Sequence, residues 1–580
     1  MSNRPYAWIR AFSIGFLLLC LALFVAQTWR WPLIGDAALM HYIVFLMHHG
    51  MAPYRDIVDP NLPTTLMIEG AVVHLFGGGS LAWRLFDFFL LGVTGIGMVV
   101  IARSWDWFAG FLAASLYGLV HGRDGTMLLG ERDLTMTAFL VIAYAYLFEA
   151  LRGVPDEPKA PDDKEPPLGT PEGTLLGSPA SLNRNCSPSR QLFLMAFFGL
   201  FCGAAATVKP TVLFLPLVLL VMAAITLRRR GQPMRFAVLS GAIGTLVPIL
   251  ISLVWVWRKH VFNAFFTTLF DLIPYFARLG TRSPGHLVVH SVSSVLLPFI
   301  VLWLIVILLQ KKRLTWERAA LLAGIVFGLA SLYTQRKGYS YHRYPSEAFL
   351  LLLASMDLIA VFHQRSVPPR LIVQRLALAA ILVGTICIGG GSTLHALRLD
   401  WRNQEFDTML QADLNRLGGR DLDGHIQCLD MGDGCIPTLY NMRLVQATGF
   451  LYDCYLFSAI HTSEQDRYRE AFWRAIQRNP PLVFVVSSND CEVYPAKPSY
   501  KYQKTSHWPR FYDYLNSNYH LIADRIPPHM VYTGSSPSIP LGYRIYLRDQ
   551  NASSTNTSPD HAGPKQAPGT HSLRRGQTIP

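Results

Sequence analysis

The chain has little charge for its length, and this shortage excludes the ordinary soluble classes. Asp, Glu, Lys and Arg make up 15% of its 580 residues, against about 25% in a typical soluble domain. Apolar residues make up 51%, and the mean hydropathy is +0.27. Apolar runs of about 18 residues or more, long enough to cross a hydrocarbon core, recur through the first two-thirds. The composition therefore predicts a multi-span integral membrane protein.

Nucleotide, hydrolase and metalloprotease motifs are also absent. The sequence has no Walker A motif, no GxGxxG after a strand, no GxSxG and no HExxH. ATP-driven transport and serine hydrolysis therefore lose support. Three histidines, His41, His48 and His49, lie near carboxylates but lack the tight spacing of metal ligands, and ordinary hydrogen bonds explain them better. No metal ligand is predicted, and the question of an assisting divalent metal stays open.

The net charge of +13 does not indicate nucleic-acid binding, because most basic clusters lie between apolar runs. Those clusters are Arg228, Arg229 and Arg230 with Arg235, then Lys311, Lys312 and Arg313 with Arg318, and then Arg365, Arg370 and Arg375. Such clusters mark cytoplasmic loops. About eleven spans are predicted, near 11–29, 81–102, 107–121, 134–151, 192–208, 210–227, 236–257, 286–309, 319–334, 346–363 and 376–394. With the amino terminus in the cytoplasm, every cluster falls inside.

Three regions follow from this threading. Residues 1–398 form the membrane domain, with a first extracytoplasmic loop at 31–80 and a Pro- and charge-rich cytoplasmic segment at 152–191 that we expect to be disordered. In residues 399–549 short strands alternate with helices, which predicts a small extracytoplasmic α/β domain. Residues 550–580 are predicted to be a disordered tail. Four of the eight cysteines fall in the α/β domain and predict at least one disulfide without fixing its pairing. They are Cys428, Cys435, Cys454 and Cys491.

The first outside loop carries the carboxylates that suit acid–base chemistry. Asp36 follows the first span, before two amphipathic segments (37–49 and 64–76) that we expect to lie in the interface as a rim around a cavity. The turn between these segments supplies Tyr54, Arg55, Asp56 and Asp59. Asp133 begins the fourth span and would face the same cavity. Either Asp36 or Asp133 could instead be a helix N-cap, because Asp before a helix accepts backbone N–H bonds.

Cations gather in later outside segments. Lys209 lies between two apolar spans, where it either snorkels to the interface or faces a cavity and binds an anion. The stretch QRKGYSYHRYPSEAF places Arg336, Lys337, His342 and Arg343 outside. The positive-inside rule disfavours so many cations there. A bound phosphate explains them, because guanidinium forks match phosphate oxygens and lysine adds a point charge.

These stretches together resemble the GT-C superfamily of glycosyltransferases that use polyprenyl-phosphate sugars. Bacterial relatives of the protein mannosyltransferases and of the lipid A aminoarabinose transferase are the nearest branches. The resemblance rests on IGDAAL, GMAPYRDIVDPNLP, GAAATVKPTVLFLPL and QRKGYSYHRYP, and in layout it covers residues 1 to about 400. One departure is Asn61-Leu62-Pro63, where many members carry Lys-Pro-Pro.

The resemblance implies sugar transfer outside the cytoplasm by a multi-pass protein of the bacterial inner membrane. The donor would be a sugar on a polyprenyl phosphate, and the acceptor a hydroxyl of a lipid, glycan or protein. Asp36 would be the base, Asp133 a second acid, and the reaction would invert the anomeric centre. The donor phosphate would be bound by Arg55, Lys209, Arg336, Lys337, His342 and Arg343. Tyr54, Asp56 and Asp59 would contact the acceptor or support the site.

Three other functions stay open on sequence alone. A transporter or flippase of lipid-linked saccharides would share the spans, although the chain shows no internal repeat. A polysaccharide polymerase or ligase would use a diphosphate-linked donor. A receptor or assembly scaffold would bind its partner through the α/β domain.

Overall fold

The apolar runs of the sequence are helices in the computed structural model. It describes residues 4–152, 188–310, 314–363, 371–398, 405–432, 434–489, 502–526 and 541–549. In the described residues, eight helices are long and apolar enough to cross a membrane. They are Arg4–Thr28, Gly79–Ala102, Arg132–Arg152, Pro188–Val208, Pro210–Arg229, Met234–Arg258, Trp316–Gln335 and Leu371–Arg398. The predicted cytoplasmic segment, the tail and Cys491 fall wholly or almost wholly outside the described residues.

The described residues up to Arg398 form seventeen α-helices, some of which are joined end to end. Their bounds are α1 Arg4–Thr28, α2 Asp36–His48, α3 Pro63–Phe76, α4 Gly79–Ala102, α5 Trp107–Asp124, α6 Arg132–Arg152, α7 Pro188–Val208, α8 Leu215–Arg229, α9 Met234–Arg258, α10 Phe262–Thr267, α11 Ile273–Arg278, α12 Pro284–Val289, α13 Leu297–Gln310, α14 Trp316–Gln335, α15 Tyr344–Ala360, α16 Leu371–Leu382 and α17 Gly391–Arg398. Wider turns of π-helix join α10 to α11 and α16 to α17. Short 3₁₀ turns are found at Thr126–Leu128, Pro210–Val212, Ser294–Leu296 and Ser340–Arg343.

Three of the eleven predicted spans are helices that fall short of the length or apolarity needed on their own. The helix α5 ends in polar residues, and α13 and α15 are shorter than a full crossing. Almost all of α15 is buried, because α5, α6 and α14 pack around it. Its apolar side chains therefore serve the protein core rather than the lipid.

The two helices of the first loop, residues 31–80, differ in burial. Ten side chains of α2 are buried, because α3 covers one side of it and a helix of the carboxy-terminal domain covers another. In α3 one face is buried while Leu75 and Phe76 are exposed. The amphipathic interfacial pattern predicted for both segments thus describes α3 better than α2.

The carboxy-terminal domain is a four-stranded sheet with helices against it. Its elements are α18 Glu405–Arg416, β1 Ile426–Leu429, α19 Cys435–Met442, α20 Cys454–Phe457, α21 Ser463–Arg478, β2 Val483–Ser487, α22 Pro509–Asn518, β3 Tyr519–Arg525 and β4 Tyr543–Arg548, with 3₁₀ turns at Gly419–Leu422 and Gln503–His507. The strand order is β1-β2-β4-β3, with β1 parallel to β2 and the other pairs antiparallel. A disulfide joins Cys428 to Cys435, as the cysteine pattern predicted.

This domain is docked on the first loop by backbone and side-chain hydrogen bonds. The N–H of Val58 donates to the carbonyl of Gly449 over 2.9 Å. A Cβ at Gly449 would lie 1.6 Å from the carbonyl oxygen of Asp56, so no other residue fits there without moving the chain. Tyr42 adds a second tie, since its hydroxyl donates to the carbonyl of Leu444 over 2.9 Å. The domain therefore lies directly over the loop that carries Asp36.

Candidate active site

Asp36 lies at the first turn of α2 with its carboxylate open to solvent. Gly35, with φ of 62°, occupies the N-cap position, so Asp36 is not the cap that its position could have indicated. Its side chain is 38% exposed, and Oδ2 lies 3.6 Å from Nη2 of Arg132. The carboxylate therefore has one cation beside it and space on its other side.

Arg132 joins the first loop to the start of α6, and we did not predict a role for it. Its Nη1 donates to Oδ1 of Asn61. Asn61 in turn donates from both its backbone N–H and its amide to Asp59, over 2.9 Å each. The sequence GERDL showed Arg132 beside Asp133, but its partner lies about seventy residues away in the chain.

Two more carboxyl groups near Arg132 are buried. Burial raises the pKa of Asp59 to about 6. Burial and the nearby charge of Asp36 also raise the pKa of Glu131 well above its usual value. Within the described residues, Oε2 of Glu131 has no hydrogen-bond partner. Of these three carboxylates, only Asp36 is both partly exposed and within ion-pair distance of Arg132.

Lys209 and Asp133 form a buried ion pair between Nζ and Oδ2. The Asp133 side chain is fully buried, and in the described part of the chain its Oδ1 has no hydrogen-bond partner. Nζ of Lys209 also lies 5.7 Å from the ring centre of Tyr341. Lys209 therefore faces the protein interior and does not snorkel. Asp133 is the second residue of α6, so it is not an N-cap either.

We call these residues the outer cluster: Asp36, Asp59, Asn61, Glu131, Arg132, Asp133 and Lys209. His342 borders it. Burial and the neighbouring cations Lys209, Arg132 and Lys337 lower the pKa of His342 well below its usual value. The ring is therefore neutral at physiological pH and can serve as a hydrogen-bond partner, but not as a cation for phosphate.

The other predicted site residues are engaged elsewhere. Nζ of Lys337 donates to the carbonyls of Leu279 and, over 2.8 Å, Phe276. Arg343 pairs with Asp124 at 2.9 Å and with Glu347 at 3.1 Å. Their phosphate roles stay predictions, but both side chains already have partners.

Besides Asp59, the turn of the first loop carries three more predicted residues, and Arg336 lies beyond α14. Arg55 and Asp56 form an exposed ion pair at 2.8 Å, whereas the Tyr54 hydroxyl is buried and donates to the carbonyl of Asn61. Arg336 is exposed, with a positive φ at the end of α14. The structure therefore brings Asp36, Asp59, Asp133, Lys209 and His342 together, with Tyr54 behind them. It does not bring Arg55, Asp56, Arg336, Lys337 or Arg343 into the cluster.

The carboxy-terminal domain contributes tyrosines next to this cluster. Burial raises the pKa values of Tyr452 and Tyr455, and smaller contributions come from the charge of Asp36 on Tyr452 and of Asp59 on Tyr455. Both tyrosines therefore lie within electrostatic reach of the first-loop carboxylates. No sequence signal connected them, because they belong to another domain. Among the described residues, no group of three or more His, Cys, Asp or Glu side chains is placed to hold a metal ion.

Comparison with known proteins gives the fold. No family model and no curated protein sequence matches the chain. Among solved structures, ArnT from Cupriavidus metallidurans bound to undecaprenyl phosphate matches with a TM-score of 0.53 at 11% identity, over 93% of this chain and 98% of that one. The apo form of the same protein matches with a TM-score of 0.51 at 13% identity, over 92% and 98%.

The chain is thus a polytopic membrane protein with the GT-C fold, as the sequence resemblance predicted. In particular it has the architecture of ArnT along almost the full length of both chains. The structural match establishes the shared fold. Because the sequence identity is so low, the activity has to be argued from the site.

Proposed function

We propose that the protein is a membrane glycosyltransferase. It moves a sugar from a polyprenyl-phosphate donor to an acceptor hydroxyl on the extracytoplasmic side. The observation that carries the proposal is the state of Asp36. It is a partly exposed carboxylate next to Arg132, in a cluster whose other carboxylates are buried. A general base needs access to the proton it removes, and Asp36 has that access.

The proposed reaction is a single displacement. The acceptor hydroxyl attacks the anomeric carbon while Asp36 takes its proton. The bond from the anomeric carbon to the phosphate oxygen breaks, and polyprenyl phosphate leaves with the electron pair. One displacement inverts the anomeric centre, and a positioned base contributes about 10²–10⁴-fold.

Two cations of the cluster suit the leaving phosphate. Arg132 is partly exposed and keeps guanidinium hydrogens beyond its bond to Asn61. Lys209 is buried beside Tyr341 and forms an ion pair with Asp133, so its ammonium group is held at the cluster. Cations held in place before the reaction stabilise the charge that develops on a leaving phosphate. We assign the phosphate to Arg132 and Lys209, ahead of the four predicted cations that lie outside the cluster.

The fold supports a lipid-linked donor. The ArnT structure with the higher TM-score is bound to undecaprenyl phosphate. A polyprenyl-phosphate sugar donor would release a polyprenyl phosphate of this kind after transfer. The outer cluster lies at the ends of α1, α6 and α7, where a lipid phosphate at the membrane surface could meet it while its tail stays among the helices. The positive-inside pattern of the sequence supports the proposal that this end lies outside the cytoplasm.

Two measurements on the purified full-length chain test the proposal. Mass spectrometry of copurifying lipids should find a polyprenyl phosphate or its sugar derivative. Incubation with undecaprenyl-phosphate pentoses and hexoses plus a membrane lipid extract should release undecaprenyl phosphate. If undecaprenyl-diphosphate saccharides were consumed and the monophosphates were not, the donor assignment would be wrong. Movement of intact donor across proteoliposomes without any sugar transfer would make the protein a flippase.

A further inference from the structure

A second charged site lies at the far end of the membrane domain, in the turn between α8 and α9. A crevice of about 370 Å³ there is lined by Arg228, Gln232, Pro233, Met234, Arg235 and Phe236. The turn is sharp because Gly231 has φ of 68° and the N–H of Gln232 donates to the carbonyl of Leu227 over 3.0 Å. This geometry brings Arg228, from the end of one helix, next to Arg235, from the start of the following one.

The two arginines of the crevice differ from their neighbour Arg230. Arg230 is tied to the membrane domain, since its Nη1 donates to the carbonyl of Leu151. Arg228 and Arg235 are both exposed, and in the described ranges neither has a carboxylate within ion-pair distance. The first turn of α9 has no side-chain cap, so its backbone amides add partial positive charge to the same crevice.

Apolar side chains continue from the crevice along both helices. Phe236 is 69% exposed and Leu239 is 55% exposed on α9, and Val221 and Ile225 are also exposed on α8. Exposed apolar surface on membrane-spanning helices faces lipid chains. A cationic recess therefore opens directly onto an acyl-facing surface.

The crevice is separate from the outer cluster. The helix α8 begins just after Lys209, and Arg228 lies thirteen residues beyond its first residue, Leu215. At 1.5 Å per residue that is about 20 Å along the helix axis. The crevice consequently lies toward the opposite membrane surface, and its role does not depend on the proposed sugar transfer.

We propose that this crevice binds the headgroup of an anionic phospholipid, with Arg228 and Arg235 on the phosphodiester and the acyl chains along α8 and α9. Basic pockets between membrane helices recognise anionic headgroups in this way. Guanidinium forks match phosphate oxygens, and the adjoining apolar surface favours a lipid over a free anion.

Native mass spectrometry tests the proposal on the full chain purified in a neutral detergent and titrated with phosphatidylglycerol or phosphatidylcholine. Wild-type protein should retain phosphatidylglycerol in preference to phosphatidylcholine. The double variant R228Q/R235Q should bind phosphatidylglycerol about 30-fold more weakly, taking the usual contribution of each arginine near a lipid surface. The matched control is R258Q/K259Q, which removes two exposed charges at the other end of α9 and should bind like wild type.

Equal retention of both lipids by the wild type would overturn the proposal. Unchanged phosphatidylglycerol binding in R228Q/R235Q would also overturn it, as would an equal loss in the control. Displacement of the lipid by millimolar inorganic phosphate would assign the crevice to a free anion instead. The unfolding temperature of R228Q/R235Q should match that of the wild type, because both side chains are exposed. If the variant with glutamines unfolds, R228K/R235K replaces it and should keep most of the lipid binding.

Discussion

The membrane domain holds two neighbouring polar clusters that differ in how fully their carboxylates are paired. They meet near Gly130, whose N–H donates to Asp87 over 2.7 Å. The next three residues, Glu131, Arg132 and Asp133, belong to the outer cluster. Asp87 is part of what we call the core cluster, which consists of Arg84, Asp87, His121, Asp124, Arg343, Tyr344 and Glu347.

Every carboxylate of the core cluster has an ion-pair partner. Asp87 is buried against Arg84 and lies 3.1 Å from Nε2 of His121. Asp124 and Glu347 share Arg343. This complete pairing of carboxylates indicates a structural role, because buried charges inside a membrane protein must be paired.

The outer cluster is not saturated. Glu131 and Asp133 each bury one carboxylate oxygen that has no partner in the described part of the chain, and Asp36 is partly exposed. Unpaired buried polar groups are costly, so a cluster that retains them is better suited to a substrate than to holding helices together. Pairing, more than charge content, separates the candidate site from the scaffold.

The largest effect on stability should come from Asp87→Ala. This change leaves Arg84 and His121 without their carboxylate in a buried position. Breaking a buried pair in this way costs roughly 3–5 kcal/mol. The unfolding temperature in detergent should fall by a large amount, whereas lipid binding per folded molecule should be unchanged. An unfolding temperature equal to that of wild type would mean that the core cluster is not a scaffold.

The ion pair of Lys209 and Asp133 can be tested by single and double variants. Lys209→Met alone should destabilise by roughly 3 kcal/mol, because it strands the buried Asp133. The double variant D133N/K209M should recover most of that stability, since it removes both charges. Undecaprenyl phosphate binding should stay weak in the double variant if Lys209 binds phosphate. Recovery of binding together with stability would show a purely structural pair.

Arg132→Gln should weaken undecaprenyl phosphate binding by about tenfold, the usual effect of losing one charge-assisted hydrogen bond. Titration followed by native mass spectrometry measures this. The control is Arg278→Gln, which removes an exposed arginine paired with Glu464 at 3.0 Å and should bind like wild type. An equal loss in both variants would point to net charge instead of a phosphate contact.

The smallest effect concerns pH and Asp59. Its folded pKa of about 6 lies above the roughly 3.9 of an unfolded aspartate. The stability that this group contributes is therefore present at low pH and is lost as pH rises through 6. Asp59→Asn should remove this dependence. The difference in unfolding temperature between pH 5 and pH 7.5 should then be smaller by about 1–2 °C than in the wild type. An unchanged slope would show that Asp59 does not titrate in this range.

Local patterns in the sequence predicted the helices of the membrane domain, although among the described residues only eight of the eleven predicted spans are long and apolar enough to cross a membrane. Apolar runs predict helices because lipid leaves the backbone no other partners, and all eleven predicted spans contain a helix. Asp36 could be singled out because a carboxylate directly after a span has few structural roles. Lys209 was ambiguous, and its burial beside Asp133 became clear only from the packing of α6 and α7.

The rest of the site depends on contacts between residues that are far apart in the chain. The partner of Arg132 is Asn61, and the partner of Arg343 is Asp124; neither pairing leaves a local pattern. The stretch with Arg343 was predicted to bind phosphate because it breaks the positive-inside rule. The structure offers another reason for one of its cations, because Arg343 pairs with Asp124 and with the buried Glu347.

Measuring Asp36→Asn beside Asp87→Asn in the same preparations tests the central claim most directly. We expect Asp36→Asn to lose at least 100-fold in release of undecaprenyl phosphate while it unfolds at the wild-type temperature, and Asp87→Asn to show the reverse. Asp271→Asn, an exposed carboxylate paired with Arg467 at 3.2 Å, should match wild type in both measurements. Wild-type turnover in Asp36→Asn would contradict the account.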